Sequence, residues 1–344
     1  MTAEAQVAAL SSASADDIMR NVTVRSITAR AAVRPGVGRF TDTPPLLLCN
    51  GIGVSLEALQ PFVDELNPER GVVRFDIPGV GGSALPPLPY TISQMSSWVV
   101  ALMTQLGHQR FDVLGFSWGG GLAQQLAIQT PRRVRKVVLV ATGTGWMMVP
   151  ANPKVLRIMS TPRRHRDPAY AAKVASTIYG GSMRTNPGTG EALLHGTSRA
   201  GPRTGYYYQL ASMYGWSSLP FLGLLRQPTL VMGGDDDPII PVANPRIQAA
   251  LIPHSQLHVY SGGHLGLITE AHELAPVVDA FLDEVSPSDL GLTQRRRARS
   301  PVPGVDSESV RSTHGLPAVE PSDSESTPGA DTRLRVNLGA KTRL

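Results

Sequence analysis

Residues 111–120 read FDVLGFSWGG, an apolar run followed by a serine and a tryptophan set between glycines. This order predicts a strand that ends at Gly115, a sharp turn at Ser117 and a helix that begins directly after it. Gly115 and Gly119 remove side chains where the strand and the helix would otherwise collide. The serine oxygen is then exposed at a helix N-terminus, where backbone amides favour negative charge. Glycine and serine are also common in plain loops, so Ser117 needs partners elsewhere in the chain before it counts as a nucleophile.

Short apolar runs alternate with helix-like stretches along much of the chain, which predicts an α/β fold with a mostly parallel central sheet flanked by helices. Residues 21–34 alternate well enough for one or two antiparallel edge strands. The other predicted strands are 45–49, 72–76, 111–114, 137–141, 229–232 and 256–260. Helices are predicted over 92–106, 120–129 and 271–284.

The composition of the 344 residues, 42% apolar and 17% charged, is that of a folded globular protein. The N-terminus has no basic leader, and nowhere do eighteen apolar residues follow one another. We therefore expect no export, no transmembrane segment and a cytoplasmic location. The single cysteine, Cys49, excludes an internal disulfide framework and a multi-cysteine metal site.

Four segments are predicted from the changes in composition. The first 20 residues are expected to be flexible, and the core is expected to span 21–145 and 226–285. Residues 146–225 break the strand and helix alternation and are expected to form a helical cap inserted after the sixth strand. Residues 286–344 are rich in Pro, Ser and charge and are expected to be a disordered tail. The tail's basic cluster at 295–299 favours a solvated run over a nucleic-acid contact.

The cap segment is rich in aromatic residues and methionine, which suits an apolar pocket. The candidates for the pocket are Trp146, Met147, Tyr207 and Trp216. In the alternative interpretation these side chains only attach the cap to the sheet. Both interpretations stay open at the level of sequence.

A serine hydroxyl is a weak nucleophile unless a base takes its proton, so a histidine and an acid are needed at the ends of later strands. The acid is supplied by GGDDDP at 233–238, which follows a predicted strand. We favour Asp237, beside the proline, and expect Asp235 and Asp236 to be solvated turn residues.

The base is predicted to be His264, in the stretch SGGH at 261–264. It alone follows a predicted strand through a glycine pair and precedes a predicted helix. The order serine, aspartate, histidine along the chain is typical of one class of hydrolase. The competing histidines that lie in turns or within a strand are His108, His254 and His258.

Two backbone amides are predicted to form an oxyanion hole. One is the amide of Trp118, directly after the serine. The other is the amide of Ile52, in the loop NGIG at 50–53 that follows an early strand. The two glycines of this loop let the backbone turn its N–H groups inward.

These motifs resemble the α/β-hydrolase family over about residues 21–285, although Asn50 stands where many members have histidine. Six stretches together are similar to the intracellular poly(3-hydroxyalkanoate) depolymerases of the medium-chain-length type: NGIG (50–53), FDIPGVGGS (75–83), GFSWGG (115–120), TIYGG (177–181), GYYYQL (205–210) and GDDDPIIP (234–241). The resemblance implies a serine hydrolase that needs no cofactor or metal. It also implies cleavage of ester bonds in a storage polyester at granule surfaces, with release of 3-hydroxyacids or short oligomers.

The cap holds nine Lys or Arg, including Arg163, Arg164 and Arg166, against the two acids Asp167 and Glu191. This charge suits docking on an anionic granule coat, or the carboxylate end of an oligomer, and equally suits ordinary solvated arginines. The competing functions are a carboxylesterase, a carbon–carbon bond hydrolase on lipophilic substrates, and a non-catalytic granule-binding protein. The sequence indicates neither the oligomeric state nor the preferred side-chain length.

Overall fold

An eight-stranded sheet forms the centre of residues 17–186, 199 and 201–285, the part of the chain that the computed structural model describes. The predicted tail, 286–344, and the first sixteen residues of the segment predicted to be flexible lie outside this part. The strands are β1 (Ile18–Val24), β2 (Ile27–Arg34), β3 (Leu46–Cys49), β4 (Val72–Phe75), β5 (Phe111–Phe116), β6 (Val134–Val140), β7 (Thr229–Gly234) and β8 (Ser255–Tyr260).

The strands lie in the order β1-β2-β4-β3-β5-β6-β7-β8. The pairs β1–β2 and β2–β4 are antiparallel, and every later pair is parallel. The predicted α/β class, with an antiparallel pair at the start, is confirmed. The strands β5, β7 and β8 therefore end at one edge of the sheet, where ligands of parallel sheets bind.

Nine α-helices are found in the described residues. They are α1 (Gln60–Glu65), α2 (Ile92–Gln105), α3 (Trp118–Gln129), α4 (Pro153–Met159), α5 (Pro168–Tyr179), α6 (Arg203–Ser212), α7 (Ala243–Leu251), α8 (Gly266–Thr269) and α9 (Ala271–Asp283). Short 3₁₀ turns cover Gly38–Phe40, Leu56–Leu59, Pro162–His165, Gly181–Arg184 and Leu219–Leu224.

Alternating side chains divide the core between the two faces of the sheet. On β3, Leu46 and Leu48 join the cluster packed under α1 and α9. Leu47 and Cys49 point the other way, into the cluster packed under α2 and α3. A strand that is apolar at every position is the pattern of a sheet covered on both faces.

The helices α4, α5 and α6 lie between β6 and β7, where the helical cap was predicted after the sixth strand. One boundary was wrong, because β1 begins at Ile18, within the first 20 residues expected to be flexible. The Asp17 carboxylate directly before it accepts a hydrogen bond from the buried guanidinium of Arg74 on β4. Within the described ranges, no helix is both long enough and apolar enough to span a membrane.

Candidate active site

Ser117 lies in a strained turn between β5 and α3. Its φ is 54° and its ψ is −117°, a conformation that residues with a side chain rarely adopt. Its amide donates to Val140 O at 2.9 Å, and its carbonyl accepts from Thr142 Oγ1 at 2.7 Å. These bonds to the end of β6 and the following loop hold the turn in place and leave the hydroxyl facing the site.

The two glycines of the turn allow strand and helix to touch. A Cβ on Gly115 would lie 2.4 Å from Gly119 O, and a Cβ on Gly119 would lie 2.0 Å from Cys49 O. No side chain fits at either distance, so the predicted reason for these glycines agrees with the packing. The helix α3 therefore begins against the end of β3.

His264 lies within hydrogen-bond distance of both predicted partners. Its Nε2 is 2.9 Å from Ser117 Oγ, and its Nδ1 is 2.8 Å from Asp237 Oδ2. The other carboxylate oxygen of Asp237 accepts from the amides of Ile239 and Ile240, at 2.8 and 2.9 Å. These two amides hold the carboxylate in one orientation, and the carboxylate in turn orients the imidazole.

The neighbouring aspartates have structural roles. Asp235 Oδ1 accepts from Gly262 N at 3.0 Å. This bond joins the loop that carries Asp237 to the loop that carries His264. Asp236 was expected to be a solvated turn residue; it lies in the turn and is partly exposed, but it also has partners. Its carboxylate forms two hydrogen bonds with Arg184, at 2.6 and 2.7 Å, and accepts from Gly181 N. Arg184 lowers the pKa of Asp236 by hydrogen bonding and by its charge.

The cap contacts both of these loops through the TIYGG stretch at the end of α5. The amide of His264 donates to Tyr179 O at 2.7 Å. A Cβ on Gly180 would lie 1.9 Å from Asp236 O, and a Cβ on Gly181 would lie 2.2 Å from Gly263 N. Because both glycines have positive φ and no room for a side chain, this motif fixes the cap against the loops that carry Asp237 and His264.

The loop 50–53 reaches Ser117 from the other side. A Cβ on Gly51 would lie 3.5 Å from Ser117 Cβ, and Ile52 lines the same pocket as Ser117. The side chain of Asn50 is buried and donates to Ser55 O at 2.7 Å, which braces the loop from within. Ile52 therefore lies close to Ser117, whose next residue along the chain is Trp118.

The pocket above Ser117 and His264 is mostly apolar. Its apolar lining consists of Ile52, Val54, Phe116, Met159, Ile239 and Leu265. Of these, Met159 belongs to the cap, which also supplies Arg164, His165 and Tyr179. Burial raises the pKa of Tyr179, against the opposing effect of the Arg164 guanidinium, so the phenol stays protonated at neutral pH.

None of the four predicted pocket residues lines this pocket. Trp146, Met147 and Tyr207 are exposed, at 67%, 54% and 44%. Trp216 lies on Gly121 of α3 and donates to Gln125 Oε1 at 2.8 Å. The error has a physical cause: composition identifies an apolar segment, but the docking of each cap helix decides which side chains turn inward. The nearest signal for a pocket residue was TIYGG, since Tyr179 lies in that motif.

The arginines of the basic cluster in the cap lie in two different environments, one buried and one exposed. The sequence left Arg164 either on a docking surface or as an ordinary solvated arginine, but it is only 2% exposed and its Nη1 donates to Tyr206 Oη at 3.0 Å. Arg163 is exposed at the surface. Its Nη2 lies 3.0 Å from Asp167 Oδ2, and its guanidinium lies over the ring of Tyr170. Arg164 therefore belongs to the pocket wall and not to a surface for an anionic coat.

A sheet with this strand order, carrying a serine after β5, an acid after β7 and a histidine after β8, defines the class of protein. The chain belongs to the α/β-hydrolase fold family, whose sequence profile matches residues 44–271. The fold predicted from the motifs is confirmed.

Two curated proteins are similar in sequence to this chain. The chain is 44% identical over 268 residues to a poly(3-hydroxyalkanoate) depolymerase of Ectopseudomonas oleovorans, covering 78% of this chain and 93% of that protein. It is 31% identical over 228 residues to a 2-hydroxymuconate semialdehyde hydrolase of Pseudomonas putida, covering 62% and 78% of the two chains. The predicted resemblance to the depolymerases is confirmed by the first of these.

Solved structures show the same fold. The enol-lactonase from Burkholderia xenovorans matches with a TM-score of 0.64 at 24% identity, over 77% of this chain and 100% of that one. At this identity the likeness concerns the fold alone.

Proposed function

We propose that this protein is a serine hydrolase that cleaves the ester bonds of a poly(3-hydroxyalkanoate) through an acyl-enzyme. The observation that carries the proposal is the hydrogen-bonded chain from Ser117 Oγ through His264 to Asp237, with links of 2.9 and 2.8 Å. The 44% identity to a poly(3-hydroxyalkanoate) depolymerase supports the choice of substrate.

In the first half of the reaction, His264 Nε2 takes the proton of Ser117 Oγ as that oxygen attacks the ester carbonyl. The amides of Ile52 and Trp118 donate to the oxygen that becomes negative. Asp237 holds the imidazole in the required tautomer and stabilises its cation. His264 then gives the proton to the leaving alcohol, which is the hydroxyl end of the departing polyester chain.

In the second half, His264 takes a proton from water, and the resulting hydroxide attacks the acyl-enzyme. The bond between Ser117 and the acyl carbon breaks, the serine regains its proton from the imidazole, and a carboxylic acid leaves. Every proton is moved by His264, so this scheme needs no further acid or base.

The pocket suits aliphatic side chains because six apolar residues line it beside the reacting groups. We place the activity in the cytoplasm, at polyester granules, because the six motifs resemble those of intracellular depolymerases. Residues 146–225 act as the cap in this proposal, and 286–344 are not needed for the chemistry. Association with the granule surface is supported by the exposed apolar side chains of the cap, Trp146, Met147 and Tyr214.

The test is hydrolysis of purified polyester granules and of a soluble p-nitrophenyl ester by wild type and two variants. Ser117→Ala should lower both activities by three orders of magnitude or more, because the nucleophile is lost. Ser93→Ala, at an exposed serine of α2, is the matched control and should retain wild-type rates.

The released products decide the substrate. We expect 3-hydroxyacids or short oligomers from granules with medium-length side chains. Full activity of Ser117→Ala would contradict the serine mechanism. Hydrolysis of soluble esters without release of acids from any granule would contradict the polyester assignment and favour a general carboxylesterase.

A further inference from the structure

The buried face of α6 places one polar side chain against the active site. Along α6 the buried residues are Gly205, Tyr206, Gln209 and Ser212, at the spacing of one helical face. A Cβ on Gly205 would lie 1.7 Å from Gly79 O, so the helix backbone rests directly on the loop after β4. This contact fixes how deeply the following turn of α6, with Gln209, sits in the core.

The side chain of Gln209 holds the loop that carries Ile52. Its Oε1 accepts from the amide of Gly53 at 2.8 Å. Gly53 has a φ of +75°, and a Cβ there would lie 2.7 Å from the ring of Tyr206. The glycine therefore lets α6 approach, and the bond to Gln209 fixes the peptide group that joins Ile52 to Gly53.

The main chain of the same residue holds Trp118. The indole Nε1–H of Trp118 donates to Gln209 O at 2.9 Å, and Ser212 Oγ donates to the same oxygen at 2.7 Å. Carbonyls in the last turn of a helix have no partner within the helix, so this one is free to accept from outside. Gln209 thus contacts both segments whose amides flank Ser117.

The amide nitrogen of the Gln209 side chain, unlike the oxygen, forms no hydrogen bond with the described residues. Gln209 is fully buried, and its Nε2 has no hydrogen-bond partner among the described residues. Buried polar groups in proteins are usually paired. The hydrogen bond accepted by Oε1 therefore explains a glutamine at this position, since the Nε2 group forms no bond that would require one.

We propose that Gln209 is a positioning residue for the oxyanion hole, joining its two halves from the cap. It touches neither substrate nor the reacting atoms. Through Gly53 it sets the direction of the loop with Ile52, and through the indole it sets the first turn of α3 with the amide of Trp118. The oxyanion hole is complete only when α6 is seated on the core. This inference rests on the proposed function, since it uses the two amides assigned there.

Gln209→Met tests the role, because methionine has a similar length and no amide oxygen to accept from the Gly53 amide. We expect kcat on a soluble p-nitrophenyl ester to fall roughly 10- to 100-fold per site titrated with a fluorophosphonate, less than the full loss of an oxyanion donor. KM should stay within about threefold, because the loss concerns the transition state. The affinity for a boronic acid that forms a tetrahedral adduct with Ser117 should fall by a similar factor.

The matched control is Gln125→Met. Gln125 Oε1 also accepts a hydrogen bond across the boundary between cap and core, from Trp216 at 2.8 Å, but on the far part of α3. This variant should keep kcat within about twofold of wild type, since its bond does not reach either amide. An equal loss of kcat in both variants would assign the effect to cap attachment in general and overturn the proposal.

A second variant covers the case in which Gln209→Met fails to fold. Trp118→Phe keeps an aromatic ring and removes the donor to Gln209 O, and it should also lower kcat with little change in KM. If Gln209→Met does not fold, wild-type kcat in Trp118→Phe overturns the role of Gln209 while leaving the serine mechanism intact. Absence of ester hydrolysis by wild type would instead contradict the proposed function.

Discussion

Gly119 shows how little room separates α3, the helix after the serine, from the loop 50–53. Its Cβ, if present, would lie 2.0 Å from Cys49 O and 2.7 Å from Asn50 O. Both obstacles are backbone, which cannot swing aside as a side chain can. The position of Trp118 relative to Ile52 therefore depends on the absence of a side chain at Gly119.

Replacing this glycine should damage the reaction and the fold together. Gly119→Ala must push α3 away from β3, and we expect at least a tenfold fall in kcat with a loss of stability of about 2 kcal/mol. Gly223→Ala is the control, because nothing lies within 4 Å of the added carbon. Its activity should match wild type and its free energy of unfolding should change by less than about 0.5 kcal/mol. Denaturant melts and ester kinetics measure both, and equal behaviour of the two variants would contradict the packing argument.

Residues whose role depends on local order could be predicted from the sequence, and residues whose role depends on docking could not. Ser117 and His264 each follow a strand through glycine and precede a helix, so their place at the sheet edge follows from the chain itself. Tyr206 and Tyr207 are neighbours of the same type, yet Tyr206 is 3% exposed and Tyr207 is 44% exposed. The contact of Gly205 with Gly79 decides between them, and that contact joins segments far apart in sequence.

At the scale of elements, the end of α5 carries more of the site than its sequence suggested. The segment 179–184 supplies a carbonyl to His264, two glycines against the acid and histidine loops, and Arg184 to Asp236. The strand segments along the chain and the cap insertion could be predicted from alternating patterns. The attachment of the cap could not, because it depends on tertiary contacts that no periodicity encodes.

The ion pair between Arg184 and Asp236 should make part of the stability depend on pH. The pair lowers the pKa of Asp236, so its contribution is present above the ordinary pKa of an aspartate and is lost as the pH falls through the lowered value. Arg184→Gln should cost about 0.5 kcal/mol near pH 7, the size of a solvent-screened pair, since both side chains are substantially exposed. The difference in Tm from wild type should shrink as the pH falls from about 5 towards 3. A difference independent of pH would show that the charge pair is not its cause.

At the scale of the whole molecule, Arg70 joins the first half of the chain to α9, the last helix in the described residues. It lies before β4, is 1% exposed, and its Nε and Nη2 contact Asp279 and Asp283 of α9 at 2.5 Å each. The Asn67 amide donates to the other oxygen of Asp279 at 2.7 Å. Closing the fold therefore depends on a buried charge network and not only on apolar packing.

Removing this arginine should destabilise the protein more than removing a similar one at the surface. Arg70→Met leaves Asp279 without its arginine and leaves Asp283 with Arg39 alone, and we expect a loss of about 3 kcal/mol. Arg39→Met breaks a pair with the same Asp283, but Arg39 is exposed, so the loss should stay below about 1 kcal/mol. Chemical denaturation compares the two, and kcat per titrated site should be unchanged in both. A smaller loss for Arg70→Met than for Arg39→Met would contradict the network.

The position of β8 as the last strand of the sheet also determines when the protein can first act. Ser117 and His264 are separated by 147 residues along the chain. At synthesis rates of roughly 5–20 residues per second, a ribosome makes the serine about 7 to 30 seconds before the histidine. During that interval the nascent chain carries a nucleophile with no base beside it. An unfinished or prematurely terminated polypeptide therefore lacks the histidine that the proposed ester hydrolysis requires.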